Sequence, residues 1–200
     1  MAHLAVDIGF HGKARVGKDY AADLVCAVDP GGFRKISFAD PIRTFADAFF
    51  GQGWRTWKDG GSDRLESYWG MTPRLFMQTA GEKIRAINQL AFVQSARHRA
   101  RESQRVCVYH DVRHINEADM IRDEGGIVVG ITDDGRGVHS GQRTLFRRVR
   151  DWFKGLFQHK TERAIPCDVW VVNDRGEDYE CRLLEAILSA HDKRYTQSRS

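Results

Sequence analysis

Two hydrophobic periods alternate along this chain. Compact or alternating apolar runs, which suit strands, are followed by stretches with apolar residues three and four apart, which suit helices. Residues 3–10 (HLAVDIGF) predict a short strand ending at glycine. Residues 17–28 predict a helix with Ala21, Leu24, Val25 and Val28 at helical spacing, stopped by Asp29-Pro30-Gly31-Gly32. Phe33–Phe38 alternates and predicts a second strand. At Asp40-Pro41 a helix starts, because Asp can cap and Pro suits the first turn, and it runs through Ile42, Phe45, Ala46 and Phe49. Gly51–Gly61 reads as a loop rich in Gly and Trp. Thr72-Pro73 opens a helix that continues to about Ala100, with room for a break. Arg105–Tyr109 predicts a buried strand, Asn116–Asp123 a helix, Gly125-Gly126 a turn and Ile127–Ile131 another buried strand. Asp133–Gly141 reads as loop, and residues 142–163 are strongly basic. Cys167–Val172 is the last strand and Asp178–Ala190 the last helix, with a polar, frayed tail from His191.

Strands that alternate with helices imply an α/β fold. The expected core is a mainly parallel, five-stranded sheet with helices on both faces and right-handed crossovers. A length of 200 residues fits a single domain spanning 1–200, with residues 135–164 as a basic insertion within it. The net charge of +4 suits anionic ligands but is too small to announce a nucleic-acid binder. The four cysteines lie far apart with no CxxC pair, which argues against zinc; Cys107 and Cys167 sit in apolar runs and are expected to be buried. No signal-peptide pattern opens the chain, and no apolar run reaches the roughly 20 residues of a membrane span, so a cytoplasmic protein without a membrane partner is expected.

The motif that carries chemistry is GKARVGKD, comprising Gly12, Lys13, Ala14, Arg15, Val16, Gly17, Lys18 and Asp19. It matches G-x-x-x-x-G-K, with Asp in place of the usual Ser or Thr. Its two glycines let the backbone curl so that N–H groups face phosphate oxygens. The helix that follows presents its positive dipole end to the same anion, and Lys18 can reach the β- and γ-phosphates of ATP. The bland alternative is a tight surface turn with a solvated lysine. Against it, the motif follows a predicted strand and opens a predicted helix, as its mechanics require. A hydroxyl at the last position would ligate Mg²⁺; the carboxylate of Asp19 can bind it directly or through water.

With this loop in place the chain resembles the deoxynucleoside monophosphate kinases encoded by bacteriophages, P-loop kinases with Asp after the loop lysine. Further segments carry the resemblance in order: SFADPIR (Ser37–Arg43), GMTPRLFMQTAGEKIR (Gly70–Arg85), VYHDVRHINEADMIRDEGGIVVGI (Val108–Ile131) and CDVWVVNDRG (Cys167–Gly176). Together they touch most of the chain apart from the tail and residues 51–69. The resemblance implies a P-loop NTPase fold with a basic lid, ATP and Mg²⁺ as cofactors, and transfer of the γ-phosphate to a deoxynucleoside 5′-monophosphate. It leaves base preference open, and monomer or homodimer equally. The chain departs from the family at His110 and His114, where apolar or aromatic residues are commoner. It departs again at His159-Lys160-Thr161-Glu162, which only partly matches the family's His-x-Ser-Glu.

Other candidates each have a structural alternative. Asp111 ends an apolar strand at the carboxyl edge, where α/β sheets bind ligands, and can serve Mg²⁺ through water or orient the acceptor; otherwise it caps the next helix. Arg113 can grip a phosphate in bidentate fashion or form a surface ion pair. Asp40 is a helix cap or a substrate ligand, and Arg43 a candidate for the acceptor phosphate. Arg74, Gln78 and Arg85 share a helix face, which the resemblance makes the lining of the monophosphate site; otherwise they are a solvated stripe. In RTLFRRVR (143–150), Arg143 and Arg147 are one turn apart and are the expected lid arginines, against a plain basic face. Asn173 follows the last strand; the resemblance puts it near the adenine, and a simple turn role is the alternative. Three competing functions remain: a kinase of the same fold acting on a ribonucleotide, dephospho-coenzyme A or a phosphorylated small alcohol; a basic nucleic-acid-binding protein; and an ATPase motor or switch.

Overall fold

The computed structural model describes residues 6–51, 53–55, 70–133 and 165–197. They divide into two compact units. The first takes in Met1–Ile36 and Ser103–Ser200, the second Ser37–Glu102. Residues 135–164, the basic insertion with Arg143 and Arg147, lie outside the described residues.

The first unit is built on five strands: β1 (Ile8–His11), β2 (Phe33–Ile36), β3 (Val106–Val112), β4 (Ile127–Asp133) and β5 (Val169–Asn173). They form one sheet in the order β2-β3-β1-β4-β5, and every pairing is parallel. Parallel strands need crossovers, and three helices of this unit supply them or close them: α1 (Lys18–Val28), α5 (Ile115–Asp123) and α6 (Tyr179–Gln197). The second unit holds α2 (Asp40–Phe50), α3 (Pro73–Ile87) and α4, which starts at Ala91 and runs to Ser103.

Strand alternation sorts the helices onto the two faces of the sheet. Ile8 and Phe10 of β1, with Ile127, Val129 and Ile131 of β4, pack with Ala21, Ala22 and Val25 of α1 and with Leu183 and Ile187 of α6. These side chains are essentially inaccessible, and each of the larger ones (Ile, Phe, Val, Leu) contributes about 1.5–3 kcal/mol by leaving water. The intervening residue Gly9 faces the other way. A Cβ there would meet Ile121 Cδ1 at 2.5 Å, so the missing side chain is what lets α5 sit against the second face.

The predicted elements recur with shifted ends. Among the described residues the first strand is Ile8–His11; residues 3–5 of the expected strand lie outside them. The long helix expected from Thr72 is two helices, α3 and α4. Thr72 caps the first by accepting from Leu75 N–H (3.1 Å). The break falls at Asn88, whose Oδ1 accepts from Leu90 N–H (2.9 Å), a local bond that competes with continued helix. The tail expected to fray from His191 is helical to Gln197. Its polarity misleads, because Arg194 donates to Arg122 O (2.7 Å) and pairs with Asp168 (3.6 Å), tying the last turns to the body of the first unit. Cys107 is buried as expected, while Cys167 is only half-buried. Trp54, in the stretch read as loop, is instead core of the second unit: it is 1% exposed and donates its indole N–H to Asp47 Oδ1 (2.8 Å). No helix among the described residues is long and apolar enough to cross a membrane.

At the amino edge of the sheet Asp7 accepts from Cys107 N–H (2.8 Å) and from the Tyr109 hydroxyl (3.4 Å). Burial, reinforced by the nearby Glu124 charge, raises its carboxyl above the ordinary 3.8. The folded state therefore holds this proton more tightly than the unfolded chain. The stabilisation is complete below the unfolded value and is lost as pH rises through the raised folded one. Asp7→Asn keeps the acceptor for Cys107 and removes the titration. As pH rises above about 4, the urea midpoint of the wild type is expected to fall relative to that of Asp7→Asn until the raised carboxyl is fully ionised. Parallel curves for the two proteins would rule this out.

Candidate functional site

In the strand order, β1 stands at the centre, with β3 on one side and β4 on the other. The helix after β1 lies on one face, and the helix after β3 on the opposite face. Their connections part company at the carboxyl ends of these neighbouring strands, the place where open α/β sheets form ligand crevices. The loop Gly12–Gly17 occupies that position, between β1 and α1.

The loop is coiled by three residues with positive φ: Gly12 (150°), Arg15 (69°) and Gly17 (97°). At two of them a Cβ would also collide with a neighbour. A Cβ on Gly12 would stand 2.2 Å from Ile131 O, and one on Gly17 2.3 Å from Asn173 Nδ2. Lys18, the first residue of α1, is 9% exposed. Its ammonium reaches back across the loop and donates to Gly12 O (2.7 Å) and Lys13 O (2.6 Å). Gly17 caps α1 with no side chain, so the first-turn amides of the helix receive no cap from it. Asn173, at the end of β5, donates Nδ2–H to Val16 O (2.9 Å) and accepts from Arg175 N–H (3.1 Å). It thus staples the loop to the far strand, a role beyond the simple turn.

An open pocket of about 510 Å³ adjoins this loop. Arg15, Tyr20, Asn173, Arg175, Tyr179 and Glu180 contribute to its walls. Tyr20 and Tyr179 stack with centroids 6.3 Å apart and planes at 25°, and the Tyr20 hydroxyl donates to Glu180. Tyr179 is 2% exposed, and among the described residues its hydroxyl is the buried side-chain polar atom without a partner. Burial, with the neighbouring Tyr20, pushes it up to about 12. Sequence patterning does not single out these tyrosines, which lie in different helices 159 positions apart.

Asp19 lies one residue into the helix. Its carboxylate Oδ1 stands 2.6 Å from His110 Nδ1 and 3.7 Å from Lys35, which itself pairs with Asp23 at 2.7 Å. The Asp19 side chain is 75% exposed and that of His110 is 11% exposed. The Lys35 pairs are surface ion pairs, which contribute about 0–1 kcal/mol to stability. Asp111 follows His110 in β3 and is 8% exposed. The β1–β3 register places it beside the strand end that feeds the loop. At the entry to α5 a carboxylate meets the backbone amides of Arg113 and His114. It belongs to Glu117, buried at 2%, whose Oε2 accepts from Arg113 N–H (2.8 Å) and His114 N–H (3.0 Å). Arg113 itself is exposed at the sheet edge.

The chemistry of this donor set fits Mg²⁺ carried by a polyphosphate. Among the described residues no group of three or more His, Cys, Asp or Glu side chains converges on a cage. Mg²⁺ characteristically takes one or two carboxylates and completes its shell with waters and phosphate oxygens. Asp19 and Asp111 are two carboxylates at this edge that could hold it.

The remaining candidates belong to the second unit. Asp40 does not serve as a simple cap. Its Oδ2 accepts from Ser37 N–H (3.1 Å) and Arg99 Nη1 (2.7 Å), and its Oδ1 from Arg43 Nη1 (3.0 Å). Arg43 also donates to Ser37 Oγ (2.6 Å), and Arg99 to Ser37 O (2.9 Å). The sequence reading missed Arg99, which lies 59 residues from Asp40 and in no motif. Arg74 and Gln78 are exposed on α3, whereas Arg85 is half-buried with its guanidinium 4.4 Å from the centre of the Phe92 ring. No family model matches the chain, and no curated protein matches it.

Proposed function

We propose that the chain is a P-loop phosphotransferase that passes the γ-phosphate of ATP to a deoxynucleoside 5′-monophosphate. The observation that carries this reading is Lys18 folded into a coiled glycine loop, at the centre of an all-parallel sheet and at the start of a helix. The pocket beside the loop supports it further, since about 300–1,000 Å³ is the usual size for a small-molecule site.

In this reading the loop amides and the first turn of α1 bind the phosphates, and Lys18 exchanges its loop carbonyls for β- and γ-phosphate oxygens. Asn173 holds the loop in shape, and the pocket lined by Tyr20, Asn173 and Arg175 receives the nucleoside end of ATP. Asp19 and Asp111 would hold Mg²⁺, which when bound neutralises charge between the β- and γ-phosphates. Arg143 and Arg147 are assigned by sequence to the same charge on the transferred group. Asp40, Arg43, Arg74, Gln78, Arg85 and Arg113 are the acceptor candidates by sequence alone. Because an acceptor phosphate is already ionised near neutral pH, no strong general base is required. Positioning, charge neutralisation and exclusion of water do the work.

The test is ATP consumption with Mg²⁺ and each deoxy- and ribonucleoside monophosphate, with products separated by chromatography. A deoxynucleoside diphosphate formed at turnover rates is the expected result. ATP-dependent phosphorylation of another phosphorylated small molecule, with no nucleoside monophosphate accepted, would move the acceptor and retain the loop. Salt-sensitive nucleic-acid binding indifferent to Lys18 would overturn the reading.

A further inference from the structure

We propose that His110 is a positioning residue for the phosphate-site metal, acting through Asp19. The inference rests on the nucleotide-binding reading above and deepens it. It starts from an irregularity in the sheet. Gly9 pairs with Tyr109 and His11 with Val112, so β3 spends three residues where β1 spends two. The extra residue falls at His110–Asp111, beyond the last pairing of β2, which ends with Ile36 against Tyr109. Bulges are rare between parallel strands and re-aim side chains where they occur.

This one is pinned from the neighbouring strand, because His11 Nδ1–H donates to Val112 O (3.0 Å) just past the extra residue. Its consequence is that a largely buried His110 delivers Nδ1 to Asp19 Oδ1 at 2.6 Å. At that distance from a carboxylate the nitrogen must carry the hydrogen. Lys35 approaches the same oxygen, Oδ1, at 3.7 Å. One carboxylate oxygen is thereby held by cationic or N–H groups, which fixes the plane of an otherwise exposed side chain. A serine or threonine at this place has a single oxygen and a short side chain, and needs no such clamp. An aspartate has an extra bond and two oxygens, so its orientation has to be set from outside, as outer-shell partners do for metal ligands generally.

The experiment measures the affinity of the full chain for a fluorescent ATP analogue, in EDTA and in Mg²⁺, with no acceptor present. His110→Phe is expected to leave the EDTA affinity within about twofold of wild type and to cut the tightening by Mg²⁺ about 10–100-fold. His110→Asn, whose amide N–H can replace Nδ1–H, should restore most of it. Adding His110→Phe to Asp19→Asn should cost nothing beyond Asp19→Asn alone. His110→Ala removes the donor without adding bulk and is read in the same way if the Phe variant does not fold. Full Mg²⁺ tightening in both His110→Phe and His110→Ala would overturn the proposal while leaving the nucleotide site intact. So would a wild type that binds the analogue equally with and without Mg²⁺. A wild type that binds no analogue under either condition overturns the nucleotide reading itself, and this inference with it.

Discussion

Lys18→Ala is expected to lower ATP-dependent phosphorylation by about 10²–10³-fold, the scale on which removal of one preorganised charge-stabilising donor acts. The loss should fall on the chemical step as well as on binding, because the ammonium meets charge that grows during transfer. Stability should change little by comparison. The two bonds that Lys18 makes go to carbonyls of its own loop, Gly12 and Lys13, and not to the core built around Phe10 and Val129. A hydrogen bond to a charged group contributes about 1.5–3 kcal/mol net, and these bonds are only partly buried, so the carbonyls recover water when the ammonium is lost. Activity with the best acceptor and a urea midpoint on the same sample separate the two effects. A variant with near-wild-type turnover would remove the loop from the chemistry.

Most of the sheet was legible because parallel strands are buried on both faces and announce themselves as apolar runs. Ile127–Ile131 and Arg105–Tyr109 are of that kind. The turn after α1 was legible for a local reason: Asp29 Oδ1 accepts from Gly31 and Gly32 N–H, a bond written into Asp-Pro-Gly-Gly. The loop Gly12–Asp19 was legible because its glycines, lysine and flanking strand and helix are contiguous. What escaped depends on residues far apart in the chain. Nothing near Asp40 points to Arg99, and nothing near Asp19 points to His110, 91 positions on. His110 stood out only as an odd residue before Asp111; the bulge that aims it has no local signature. The helical tail escaped for a similar reason, since Arg194 finds its partners at Arg122 and Asp168. The second unit shows the same limit, where Trp54 looks like a loop residue until Asp47 supplies its indole acceptor.

The glycines of the loop make the sharpest structural demand, and Gly12→Ala should expose it. A Cβ at Gly12 would lie 2.2 Å from a backbone carbonyl oxygen, that of Ile131 in β4. Backbone in a central strand cannot yield without disturbing its parallel pairing to β1 and β5. The residue also has φ of 150°, where a side chain is strained even with room. Gly17→Ala differs in kind: its nearest neighbour is the Asn173 amide, a side chain that can turn away at the expense of its bond to Val16 O. Gly12→Ala is therefore expected to lose about 1–3 kcal/mol of stability and all measurable ATP affinity. Gly17→Ala should keep more of its stability yet bind ATP weakly, because the loop loses its staple and acquires strain at φ of 97°. Chemical denaturation and ATP titration of both variants check the ordering. Equal stability losses at the two positions would mean that the carbonyl of Ile131 is not the rigid wall against which the loop is shaped.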